Sequence, residues 1–228
     1  MRSRTICCSA IVICLLTSVH AGAWGIPSIP GRAALPVSTS ASADPDAFLV
    51  KAKNAERLVD RSSDHLFNAV ASKEEQEKME AMKKKLNETT DDKEKNALRQ
   101  QITESEMATI EKRSKDKELL DKAEQMDSKK KQQIANGFYN LSLGSLQTAA
   151  LVPEGTSIAN SITNNPANAV RLGLKAKSVY DSVKTLGGLG SNITKVLSAI
   201  RPLMSAAKIE TKAPSSASDT PKEIDGGI

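Results

Sequence analysis

An all-α fold is predicted for this chain, and three observations carry the prediction. Aromatic residues make up only 3% of the sequence, whereas β-sandwiches and barrels draw on aromatic and β-branched residues to fill their pleated faces. Ala, Leu, Lys, Glu, Gln and Met dominate instead, and these are the good helix formers. From Phe48 onward apolar residues also recur at alternating steps of four and three, the period of a helix face. The elements predicted are a long, charged antiparallel helical hairpin over residues 46–133 and a small helical bundle over 134–212, with a disordered linker (24–45) and tail (213–228).

Residues 1–23 read as a signal peptide. Arg2 and Arg4 form a positive start, Ile6 to Val19 is an uncharged apolar run, and Ala21-Gly22-Ala23 supplies the small residues read by a signal peptidase. The run is shorter than the ~20 apolar residues that span a bilayer. Cleavage before Trp24 and a periplasmic or extracellular destination are therefore expected. Such cleavage removes Cys7, Cys8 and Cys14, which are all the cysteines, and leaves His65 as the sole imidazole. Disulfides, thiolate chemistry and the usual zinc ligand sets are then excluded. No catalytic residue, metal site, cofactor or small-molecule substrate is expected.

Pro27, Pro30 and Pro36, with many serines and little charge, make the linker. Asp44 or Asp46 can cap the first helix, whose seam runs through Phe48, Ala52, Ala55, Val59, Ser62, Leu66 and Ala69. The stripe thins through Met79, Met82 and Leu86, and Asn87 to Asp92 interrupts it, with Thr90 or Asp91 as the next cap. The second arm carries Leu98, Ile102, Ile110, Leu119, Ala123, Met126 and Ile134. Between Lys73 and Lys131 there are 16 basic and 16 acidic residues, over half of the segment, many spaced for i,i+4 pairs such as Glu80 with Lys84 and Glu118 with Lys122. So polar a hairpin is expected to project into solvent or await a partner.

Beyond Ile134 charge is sparse and apolar residues dense, as in Phe138, Leu141, Leu143, Leu146, Leu151 and Val152. Pro153-Glu154-Gly155 is expected to break this helix. Asn165-Pro166 reads as a cap and first turn, with Val170, Leu174, Val179, Val183 and Leu186 on the helix that follows. Gly187-Gly188-Leu189-Gly190 is expected to turn the chain before Ser191 caps a last helix, which Pro202 bends or ends.

Several motifs are better read as structure. The sequence around His65 indicates no catalytic constellation, so it reads as a partly exposed helix histidine. The glycine cluster at 187–190 lacks the Lys-Ser/Thr pair of a phosphate loop, and Asp91 with Asp92 lacks the glycine and distal glutamate of a calcium loop. Lys83 to Lys85 and Lys129 to Lys131 are offset by neighbouring acids and have no aromatic platform, so nucleic acid is not expected as a partner. Glycosylation triplets begin at Asn87, Asn140 and Asn192; only Asn87 looks well placed.

The function expected is that of an exported, non-enzymatic structural or interaction protein. Its hairpin would bind a protein partner or self-associate through Phe48, Ala52, Ala55, Val59 and Leu66. The alternative is a membrane-surface or lipid-binding protein acting through basic amphipathic helices that carry Arg171, Lys175, Lys177, Lys184, Lys195 and Arg201.

Overall fold

A computed structural model of the chain describes residues 44–164, 170 and 173–224. The signal peptide, almost all of the linker, Asn165-Pro166 and Arg171 lie outside the described residues. Those residues form six α-helices and no strand: α1 (Pro45–Val70), α2 (Lys73–Glu88), α3 (Asp92–Arg113), α4 (Lys117–Lys122), α5 (Ser128–Asn164) and α6 (Leu174–Ala206). A 3-10 turn, Ala123–Gln125, joins α4 to α5.

Side-chain caps set most helix starts, as the sequence suggests. Asp44 accepts from the Asp46 N–H at 3.0 Å ahead of Pro45, and Asp91 accepts from the Glu94 N–H at 2.8 Å. Ser72 and Glu75 form a reciprocal capping box at α2. Asp116 and Asp127 do the same work at α4 and α5, each accepting at 2.8 Å. The sequence did not announce the stops after Val70 and Arg113, which divide each arm of the expected hairpin.

The seam of α1 is where the sequence placed it, but it faces a different partner. Phe48, Ala52, Ala55, Val59 and Leu66 are buried against α5, which runs antiparallel to α1. The register can be read from three glycines. A Cβ on Gly137 would lie 2.7 Å from Leu66 Cγ, one on Gly144 2.7 Å from Val59 Cγ2, and one on Gly155 2.5 Å from Phe48 Cζ. Steps of seven and then eleven residues on each helix keep the two faces aligned, as a packed helix pair requires. The expected boundary at residue 134 accordingly falls inside α5, and α1 belongs to the core of the bundle. The described residues belong to one compact unit.

Two predicted breaks are absent. α5 passes through Pro153, and α6 passes through Gly187, Gly188 and Gly190. Pro153 is exposed, and the carbonyl it leaves without a donor belongs to exposed Ala149, so water can satisfy it. On α6, Leu186, Leu189, Ile193, Val196 and Ile200 are buried at helical spacing. Burying each large aliphatic is worth about 1.5–3 kcal/mol, which outweighs about 1 kcal/mol per helical glycine. α6 also passes through Pro202, expected to bend or end it, and stops at Ala206.

A Cβ on Gly187 or Gly188 would meet nothing within 4 Å. Gly187→Ala and Gly188→Ala should therefore each raise stability by roughly 0.5–1 kcal/mol. Thermal unfolding measures this, and a loss of stability in both would show that α6 is not continuous there.

The tail departs furthest from expectation. Residues 213–224 lie along α5 rather than being free of it, held by side-chain amides of that helix. Its polar composition forecast disorder, because the segment has little apolar surface to bury. Hydrogen bonds to its main chain hold it instead.

Candidate functional site

One face of α1 presents Asn54, Arg57, Leu58, Arg61, Asp64, His65 and Asn68, all between positions 54 and 68 at helical spacing. Across from it, α5 presents Gln133, Asn140 and Gln147, and the tail closes the cleft with Pro221, Lys222 and Ile224. The cleft, open on one side, has a volume of about 600 Å³. His65, expected to be partly exposed, is buried at its edge.

Asn140 is the centre of this cleft. It is buried, and its side-chain amide holds both main-chain groups of one residue: Nδ2 donates to the Lys222 carbonyl at 2.8 Å, and the Lys222 N–H donates to Oδ1 at 2.7 Å. That is the pairing a neighbouring β-strand would offer. Asn136 Nδ2 donates to the Glu223 carbonyl at 2.9 Å and Gln147 Nε2 to the Ala217 carbonyl at 3.1 Å. As the numbers rise along the tail they fall along α5, so the segment runs antiparallel to the helix. The Lys222 ammonium sits 4.7 Å from the centre of the Tyr139 ring, within cation–π range. Ala217 itself lies in a turn, in which the Asp219 carboxylate accepts from the Ser215 and Ser216 N–H groups. Those donors hold its pKa below the usual carboxylate range.

Behind the cleft, α1, α2 and α3 meet at a cluster of charges. Glu106 on α3 is almost wholly buried, and Lys83 Nζ of α2 lies 2.9 Å from its Oε1. Oε1 receives no hydrogen bond of good angle, so charge rather than a directed bond joins the two. Lys83 also bonds Asp64 of α1, and the Thr103 hydroxyl donates to Asp60 Oδ1 at 2.7 Å. Burial pushes the Glu106 carboxyl up to about 7, against the opposing pull of Lys83. Burial raises Glu56 to about 7 as well, helped by the charge of Asp60. Lys83 is held above its usual value, because its bond to Asp64 and the charge of Glu106 outweigh the effect of its burial.

The residues expected to form an interaction seam thus lie inside the chain's own core. Of the basic residues expected to face a membrane, Lys175, Lys177, Lys184, Lys195 and Arg201 are exposed on α6. Lys175 pairs with Asp46 at 2.8 Å, and Lys177 pairs with Asp181. The apolar positions of the same helix, Val179, Leu186, Leu189, Ile193 and Leu203, turn inward. No described helix is long and apolar enough to cross a membrane. Of the glycosylation triplets, Asn140 is occupied in the cleft, whereas Asn87 is exposed.

Sequence reading missed the cleft because its key residues are amides. A hint was present in the helical spacing of Asn136, Asn140 and Gln147, which places them along one side of α5. No family model matches the chain, and neither the curated proteins nor the solved structures compared with it give a match.

Proposed function

We propose that this is an exported, non-enzymatic helical protein that acts by binding other polypeptides, and that the cleft between α1 and α5 is its binding face. The observation that carries this reading is buried Asn140, with both amide atoms engaged on the main chain of a polypeptide segment. A buried amide is costly unless fully partnered, so a site built this way favours a peptide over water or an apolar ligand. The cleft replaces the α1 seam as the interaction surface, since the seam is consumed by α5. The membrane-surface alternative draws less support, because α6 directs its apolar positions into the core.

A photo-reactive residue introduced at position 57, in the cleft, should capture a polypeptide in the producing cells. The same residue at position 184, on the exposed side of α6, should not. Fractionation with N-terminal sequencing of the recovered chain would report export and cleavage before Trp24. Equal capture at both positions, or recovery of the uncleaved chain from the cytoplasm, would contradict the proposal.

A further inference from the structure

The manner in which the tail is held says what kind of polypeptide the cleft accepts. Among the described residues, the hydrogen bonds seen between α5 and the tail end on main-chain atoms of the tail: the carbonyls of Ala217, Lys222 and Glu223 and the N–H of Lys222. Recognition of this sort reads an extended backbone, as strand addition to a sheet edge does, and tolerates many sequences. The donors themselves are fixed in place, since they stand on the longest helix of the fold, and Asn140 is sunk into its surface.

The tail, by contrast, is lightly held. No residue from Lys212 to Ile224 is buried; each is exposed or half-buried. Among the described residues, a short row of neutral hydrogen bonds, each of modest net worth, and the contact of Lys222 with Tyr139 secure it. Its advantage over any competitor is its tether, which gives it an effective concentration on the order of millimolar at the cleft.

We propose, resting on the reading of the cleft as the binding face, that it takes an extended polypeptide strand of a partner protein by its main chain. The chain's own residues 213–224 are the built-in occupant that such a strand must displace. The tail then acts as a competitor in cis, setting the affinity below which partners are refused.

The test uses the purified full chain and a fluorescent peptide with the sequence of residues 213–224. Lys222→Pro in the chain removes the N–H that Asn140 receives and leaves α5 untouched, so the tethered segment should release. Fluorescence anisotropy should show the peptide binding this variant at least about tenfold more tightly than it binds the wild-type chain, because the tethered competitor is lost. The same peptide methylated on the nitrogen of Lys222 keeps every side chain but lacks the donor, and should bind about tenfold less well. Asn140→Ala added to Lys222→Pro should weaken binding similarly. Should that variant fold poorly, the methylated peptide still decides the matter. Equal affinity for wild type and Lys222→Pro, or for the two peptides, would overturn the proposal. Since this assay needs no cellular partner, its failure alongside successful capture at position 57 would leave the cleft a binding face for a polypeptide recognised by its side chains rather than its main chain.

Discussion

Gly155→Leu is expected to destabilise the fold by about 3 kcal/mol, the upper range for overpacking a filled core. A Cβ there would already stand 2.5 Å from both Phe48 Cζ and Val183 Cγ2 and 2.7 Å from Phe48 Cε2. Those atoms belong to side chains that are themselves packed, Phe48 completely so. A leucine adds three more carbons to a position with no room for one. Either the Phe48 ring leaves its rotamer or α1 and α5 move apart, which would loosen the contacts at Gly144 and Gly137 as well. Urea unfolding measures the loss. A second substitution, Phe48→Ala, costs about 3–5 kcal/mol in an otherwise unchanged core. In the Gly155→Leu background it should cost far less, because the leucine fills the space that the ring vacates. That departure from additivity is the signature of direct contact. A Gly155→Leu chain with an unchanged unfolding midpoint would show that α1 and α5 do not meet in this register.

The same glycines explain what the sequence revealed and what it concealed. Helix class, the caps at Asp44 and Asp91 and the α1 seam were all legible, because each leaves a local signal in residue type or spacing. The partner of the seam was not. Its complementary stripe on α5 is built partly of Gly137, Gly144 and Gly155, and a missing side chain contributes nothing to a hydrophobic pattern. Glycine and proline in fact pointed the wrong way at Pro153 and at Gly187 to Gly190, where burial on the opposite helix face overrides a local preference for turning. The tail failed for a related reason. Composition reports whether a segment can bury apolar surface, and this one cannot. It is silent about whether an amide four or seven residues along a distant helix will hold the main chain. Glu106, finally, was indistinguishable from its 15 acidic neighbours in the charged segment. Only the approach of α1 and α2 to α3 sets it apart.

That buried carboxyl gives the second large effect. Glu106 and Glu56 both have acidities displaced from the ordinary value of 4.5 to about 7. Between those limits the folded chain holds protons that the unfolded chain releases, so these groups favour folding at the acid end. Their contribution is complete below about pH 4.5 and is lost as pH rises through 7. The groups that face Glu106 are Lys83 from α2, which lowers its pKa, and Asp64 and Asp60 from α1, which raise it. Glu56 is partly open to solvent, so the larger share is assigned to Glu106, on the order of 2–3 kcal/mol for a displacement of this size. Stability of the wild-type chain, measured by urea unfolding, should therefore fall between pH 5 and pH 8. Glu106→Gln keeps the shape of the side chain and removes its charge, while Lys83 retains Asp64 as a counter-ion. The variant should lose most of the decline and exceed the wild type in stability at pH 8. If the two chains follow parallel curves, the slope belongs to other groups and Glu106 is better hydrated than its position implies. If Glu106→Gln is instead less stable at pH 8, the ion pair with Lys83 more than repays the burial of the charge. That pair would then be what fastens α2, a helix with Met79 as its one buried residue, to the rest of the fold.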